Sequence, residues 1–259
     1  MEKKLSVTLI QTDLHWENPA ANRKQFSDKL RAVSEKTDLI VLPEMFTTGF
    51  SMNAENISEP NEGETLQWMI TEAKKHDVAI TGSVIISEYK NFYNRLFFVF
   101  PNGEYKKYDK RHTFTLAGEH NTFSAGTERL LVDYKGFRIC PLICYDLRFP
   151  VWARNTKEYD VLLFVANWPV KRIIAWDALL KARAIENMSY CIGVNRVGSD
   201  GNGHEYTGHS AVYDVLGHQI STNDFEKEFI QTVVLEKEHI DTNRGHLQFL
   251  NDRDDFTLN

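Results

Sequence analysis

Three stretches constrain this chain more than any other feature: DLIVLPE (38–44), FRICPLIC (137–144) and YDVLLFVANW (159–168). Each is a short, nearly unbroken apolar run. A strand with one wet face alternates apolar and polar residues, whereas a continuous run fits a strand covered on both faces, as in the parallel sheets of α/β proteins. Each run also stops on chemistry. Glu44 follows LIVLP, Cys144 follows CPLI, and Asn167 and Trp168 follow LLFVA. Open α/β sheets hold ligands beyond the carboxyl ends of their strands, so these residues are the first candidates for a site.

The rest of the chain supplies the other layers. Residues 5–11, 78–86, 95–101 and 191–198 read as strands, and 95–101 ends on Pro-Asn-Gly, a hairpin signal. Residues 19–35 place Ala20, Phe26, Leu30 and Val33 near helical spacing. A helix is expected around 64–76. Another is expected over 176–190, where Trp176, Leu179, Leu180, Ala184 and Ile185 form a core-facing stripe. GHSAVYDVLGHQIS and EFIQTVVLE read as antiparallel strands around a Gly-containing turn. The pattern is a mixed sheet with helices outside, and residue physics leaves three-layer and four-layer sandwiches both open. With no repeat, low-complexity tract or Pro/Gly/Ser-rich boundary, residues 1–259 read as one domain. The polar tail from about residue 243, with Leu247, Phe249 and Leu250, is expected to dock on a partner subunit or to fray.

Charge and cysteine content narrow the function. The formal net charge is -6, which argues against nucleic acid or an anionic membrane as partner. The one basic cluster, KKYDKRH (106–112), is short and interrupted by Asp109, so it reads as a local site or a turn. MEKKLSVTLIQTD lacks the pattern of a signal peptide, and no window approaches the ~20 apolar residues of a membrane span. Three cysteines in 259 residues do not make a disulfide framework, so a reducing cytoplasm is expected. Cys140 and Cys144 have no ligand set at zinc-like spacing, and no metal is expected.

Taken singly, the candidates are ordinary. Cys144 reads as a core thiol, Glu44 as a loop carboxylate, Lys110 as a surface lysine, and Asn167-Trp168-Pro169 as a turn. Together they make a reaction centre. A thiol with a pKa near ~8.5 is mostly protonated at neutral pH and needs a base or a nearby cation to attack a carbonyl. Glu44 can serve as the base. Lys110 and the backbone N–H of Tyr145 can donate to the oxyanion of a tetrahedral intermediate. Such a centre needs no histidine, although His112, His120 and His209 stay open as alternative bases of the cysteine-protease kind.

In order along the chain, LPEMF (42–46), KKYDKRHTF (106–114), ICYDLRFP (143–150) and RAIEN (183–187) resemble the nitrilase superfamily of carbon–nitrogen hydrolases. The resemblance runs from the first strand to GHSAVYDVLG. It implies a four-layer αββα sandwich that forms homodimers or larger homo-oligomers. It matches Glu44 to the general base, Lys110 to the oxyanion lysine, Cys144 to the nucleophile and Glu119 to a second glutamate beside them. The implied reaction passes through a thioester on Cys144 and requires no cofactor. CYDLRFP is unlike the nitrilase branch proper. With VANWP, ALLKARAIEN and NRVGSDGNG, it is similar to bacterial omega-amidases acting on 2-oxoglutaramate. Deaminated-glutathione amidases and N-carbamoyl hydrolases are the alternatives within the superfamily, and a catalytically dead scaffold is the alternative outside enzymes. Such a substrate carries a distal carboxylate, for which Arg148 is the candidate cation. Phe46, Phe50, Tyr145, Phe149 and Trp168 are candidates for the pocket wall, and the Gly201–Asn202–Gly203 loop is a candidate for close approach to the ligand.

Overall fold

The computed structural model describes residues 3–222 and 225–257. Its strands are β1 (Lys4–Gln11), β2 (Leu39–Val41), β3 (Glu59–Pro60), β4 (Ala79–Glu88), β5 (Asn91–Val99), β6 (Tyr105–Asp109), β7 (Val132–Tyr134), β8 (Phe137–Ile143), β9 (Val161–Val165), β10 (Tyr190–Val194), β11 (Val197–Ser199), β12 (Glu205–Thr207), β13 (Ala211–Tyr213) and β14 (Phe229–Glu236). Its helices are α1 (Pro19–Arg31), α2 (Ala54–Ile57), α3 (Glu64–His76), α4 (Glu119–Thr122), α5 (Pro150–Ala153), α6 (Ile173–Asn187) and α7 (Lys237–Leu247).

The strands form two large sheets. One runs β14-β1-β2-β4-β5-β6, with β3 also on β4; the other runs β13-β10-β9-β8-β7. The three apolar runs become β2, β8 and β9, and each lies in the parallel part of its sheet. Leu5, Val7, Leu9, Val41 and Phe98 of the first sheet meet Ile139, Leu142 and Val161 of the second in a shared core. The outer face of the first sheet packs Ile10, Ile40 and Ile80 against Phe26 and Leu30 of α1 and Leu66 and Met69 of α3. On the far side, α6 lays Trp176, Leu180 and Ala184 on the second sheet. There a Cβ on Gly193 would stand 2.5 Å from Leu180 and 2.6 Å from Trp176, so only glycine lets the helix approach this closely. The order of layers is αββα. Each fully buried Leu or Ile contributes roughly 1.5–3 kcal/mol, and most of that burial lies between the sheets and under α1, α3 and α6.

Several elements depart from expectation. The first helix stops at Arg31, four residues short of Glu35, because Asp38 must already bond Ser6 at the start of β2. Ala20 is exposed, and the buried stripe is Asn22, Phe26 and Leu30. Asn22 can be buried because its amide donates to the carbonyls of His15 and Thr47. Ile185 is exposed, and Arg183 turns inward instead to bond the Leu147 carbonyl. The 191–198 run breaks after Val194, where Asn195 bonds the Trp168 and Gly208 carbonyls. The two late strands do not pair with each other: β13 is antiparallel to β10, and β14 crosses to the other sheet to pair with β1 from Lys4↔Glu236 to Gln11↔Phe229. The expected tail boundary at 243 falls inside α7, whose Arg244 bonds Asp160, Met188 and Tyr159 of its own chain. Met1, Glu2, Leu258 and Asn259, which belong to the N-terminal stretch and the tail, lie outside the described residues.

Candidate active site

The site lies where β2, β6, β8 and β9 stop. Glu44 follows β2, and the next residue, Met45, turns the chain with φ +42°, its N–H held by Ser83 Oγ at 2.8 Å. Cys144 ends β8 with φ +43° and opens a 3-10 turn over Cys144–Arg148. A left-handed conformation is costly for a residue with a Cβ and persists only where its surroundings enforce it. Asp146 does so here. Its buried carboxylate accepts from Ile143 N (3.1 Å), Tyr108 Oη (2.7 Å), His112 N (3.0 Å) and the His112 ring (2.8 Å). Tyr108 and His112 flank Lys110, so one carboxylate ties the lysine segment to the cysteine turn. Arg183 of RAIEN holds that turn through Leu147 O at 2.7 Å.

Lys110, Glu44 and Glu119 form a closed cluster. Lys110 Nζ lies 2.8 Å from Glu44 Oε1 and 3.0 Å from both Glu119 oxygens. All three residues are at most 1% exposed. Asn94 Nδ2 donates to Glu44 (2.8 Å) and Glu119 (3.3 Å), Phe114 N to Glu119, and Asn167 N to Glu44 Oε2 (2.9 Å). Burial opposes the Lys110 charge, but Glu119 and Glu44 outweigh it and raise its pKa, so the ammonium is fixed. Burial pushes the Glu119 carboxyl up; Lys110 pulls it down, Glu44 pushes it up again, and the net direction is up. One cation cannot offset two buried carboxylates. Burial, and next Glu44, push the Cys144 thiol well above its ordinary range despite Lys110, so the resting thiol keeps its proton. The arrangement can pass a proton from sulfur to carboxylate as the sulfur attacks.

A pocket opens over this cluster. Cys144, Lys110, Tyr145, Arg148, Asn167, Trp168 and Phe50 all line it, as the sequence suggests. Phe46 does not. It is fully buried on the other side of the first sheet, with Phe26 at 5.4 Å and Trp68 at 5.7 Å, because the left-handed Met45 turns it away. Phe149 is not in the wall either; it stacks on His112 at 3.6 Å and braces Tyr145 from behind. None of the candidate histidines takes the base position. His112 is held by Asp146, His209 by Asp177, and His120 is exposed. Gly201 packs on the Trp16 ring, not on the pocket. From the β11–β12 ribbon it is His204 and Tyr206 that reach the wall.

Sequence reasoning missed Asn94, Phe114, Arg172, His204 and Tyr206. Asn94 left a faint signal, as a lone amide entering the apolar run of β5. Arg172 had none beyond its place between Trp168 and α6. Its guanidinium lies 4.9 Å over the Phe114 ring, and that of Arg148 4.9 Å over Trp168.

A four-layer αββα sandwich with cysteine, lysine and glutamate converging at its strand ends is the architecture of a carbon–nitrogen hydrolase. The sequence profile of that family, Carbon-nitrogen hydrolase, matches residues 6–242, and the chain belongs to it. Among its relatives, an omega-amidase (YafV) of Yersinia enterocolitica is 48% identical over 82% of each chain. A 2-oxoglutaramate amidase of Bacillus subtilis is 34% identical over 89% of this chain and 91% of its own. A crystal structure of a CN-hydrolase superfamily protein from Xanthomonas campestris, bearing an arsenic adduct in its active site, superposes with a TM-score of 0.96 at 41% identity over 99% of both chains.

Proposed function

We propose that this chain is an omega-amidase that hydrolyses the terminal amide of a small dicarboxylate monoamide, such as 2-oxoglutaramate, to the acid and ammonia. The observation that carries the reading is a pair of arginines in the same pocket as the Cys144 thiol. Arg148 and Arg172 both line it, each stacks on an aromatic ring, and among the described residues neither makes an ion pair. Two uncommitted guanidiniums a short way from a nucleophile suit a substrate with a carboxylate at one end and an amide at the other. The names of the relatives from Yersinia enterocolitica and Bacillus subtilis point the same way.

In this reading Glu44 takes the thiol proton as sulfur attacks the amide carbon. Lys110 and Tyr145 N–H hold the oxyanion, and Glu119 keeps Lys110 in place. Glu44 returns the proton to nitrogen, the C–N bond breaks and ammonia leaves. Water, deprotonated by Glu44, then opens the thioester. The test is ammonia release across a series: 2-oxoglutaramate, succinamate, glutaramate and the uncharged butyramide. Substrates with a carboxylate should lead by at least about 100-fold in kcat/KM, and Arg172→Met should erase most of that lead through KM. Equal turnover of butyramide would overturn the assignment.

The reading extends to a single-domain enzyme working as a homodimer in a reducing cytoplasm. Three buried, unbridged cysteines are consistent with that compartment. Exposed Phe249 and Phe256 support docking of the tail on a partner subunit. Sedimentation of the full chain against one ending at residue 248 tests the last point; a dimer should become a monomer.

A further inference from the structure

Asn167 carries a buried oxygen with no partner. Its backbone N–H donates to Glu44 Oε2 at 2.9 Å, and its Nδ2 donates to the Glu44 carbonyl at 2.6 Å. That carbonyl can only accept, so the amide cannot be flipped, and Oδ1 must be the atom left over. Oδ1 is buried, and no N–H or O–H of the described residues donates to it. Buried acceptors are nearly always satisfied, so an orphan needs an explanation. Asn94 Oδ1 is orphaned too, but Asn94 does not line the pocket. Among the described residues, Asn167 is the one pocket-lining side chain with a buried polar atom left unpaired. It shares the pocket with Cys144 and Lys110.

We infer that Asn167 Oδ1 accepts an N–H of the scissile amide and selects amides over esters. This rests on the omega-amidase reading and adds an atom to it. No described residue offers a donor, and a substrate amide in the same pocket can supply one. Asn167 is tied to the base at two points, its N–H to the Glu44 carboxylate and its Nδ2 to the Glu44 backbone carbonyl, so the same residue that would hold the substrate nitrogen also holds the carboxyl that must protonate it. Sulfur adds to the carbonyl carbon while its proton passes to Glu44. The proton then moves to nitrogen, the C–N bond breaks and neutral ammonia departs. As nitrogen gains the proton its N–H groups become stronger donors, so the contact tightens toward the transition state, which is the condition for it to raise the rate. An ester offers no N–H at this place and would leave the oxygen unpaired.

The experiment compares a primary amide with the matched methyl ester, glutaramate against monomethyl glutarate, in wild type and Asn167→Ala. Methanol and ammonia release are followed under kcat/KM conditions, and melting checks the fold. Loss of a hydrogen bond to a buried group predicts roughly a 10–100-fold fall for the amide and a much smaller one for the ester, so that the amide-to-ester ratio drops at least about tenfold. Parallel falls for both substrates would mean that Asn167 only positions Glu44, and would overturn the inference. If Asn167→Ala does not fold, Asn167→Ser, which keeps the backbone N–H to Glu44 and removes Oδ1, carries the same comparison, and an amide-to-ester ratio unchanged from wild type sinks the inference. A wild type that releases ammonia from neither glutaramate nor 2-oxoglutaramate is a separate result and refutes the omega-amidase reading itself.

Discussion

Arg95 on β5 and Lys110 just past β6 are neighbouring buried cations, and each holds two carboxylates. Arg95 meets Asp109 at 2.6 Å and Glu88 at 2.9 Å; Lys110 meets Glu44 at 2.8 Å and Glu119 at 3.0 Å. The distances hardly differ, but the access of water does. The side chains of Glu88 and Asp109 are 23% and 21% exposed, whereas those of Glu44 and Glu119 are at 0%. The carboxyl shifts accordingly take opposite signs. The Arg95 hydrogen bond, against slight burial, lowers the Glu88 pKa, and burial raises that of Glu119. Where water reaches an ion cluster, the charges settle and only hold the chain together. Where it does not, excess negative charge sits beside a protonated thiol, ready to receive its proton.

Breaking the inner cluster should have the largest effect. Glu44→Gln keeps the shape and removes the base, and should lower kcat/KM by roughly 10²–10⁴, measured as ammonia release from 2-oxoglutaramate. Lys110→Met removes an oxyanion donor. It should cost about 10²–10³ in kcat and, by leaving two carboxylates unpaired, should lower the unfolding free energy by roughly 3–5 kcal/mol. Glu119→Gln sharpens the comparison. Glutamine keeps an acceptor for Lys110 and removes one of the two carboxylate charges, so the loss should stay within about tenfold; a loss as large as that of Glu44→Gln would give the two residues equal roles. Arg95→Met should destabilise the fold in a urea titration yet leave kcat/KM within about threefold. A catalytic defect there would erase the distinction between the clusters.

The smallest effect is in pH. Glu88 has a lowered pKa, so its contribution to stability is present above the ordinary value near 4.5 and lost as pH falls through the lowered one. Glu88→Gln should therefore match wild type in strong acid and fall below it at neutral pH. Glu119 has the opposite sign: its fold-stabilising proton is lost as pH rises through the raised value. Glu119→Gln should gain on wild type as pH rises above 4.5. Urea midpoints between pH 3 and 8 decide both, and curves of the same sign would contradict the contrast.

Arg95 and Lys110 also show what sequence can carry. The apolar runs announced β2, β8 and β9, and hence the places of Glu44, Cys144 and Asn167, because a strand covered on both faces leaves a local mark. Lys110 was a candidate from its place in the basic turn, although nothing in KKYDKRH says which basic residue is buried, and Glu119 was legible only through the family resemblance. Side choice after a turn was not legible. Phe46 and Phe50 are four residues apart, and the left-handed Met45 between Glu44 and Phe46 sends one to the core while the other reaches the pocket. Nor was the return of β14 to β1, a pairing of residues more than 200 positions apart. Arg172 became visible only once α6 had been laid beside Phe114.

The most direct test is to mix 2-oxoglutaramate with wild type, Cys144→Ala and Glu44→Gln, quench in acid, and weigh the intact chains while counting ammonia. A thioester route predicts an acyl adduct on Cys144 in the wild type and neither adduct nor ammonia from Cys144→Ala. Glu44→Gln, slowed in both half-reactions, should release ammonia no faster than it acylates. Ammonia release from a folded Cys144→Ala at the wild-type rate would contradict the thioester and return Cys144 to the status of Cys140 and Cys191, buried thiols of the core.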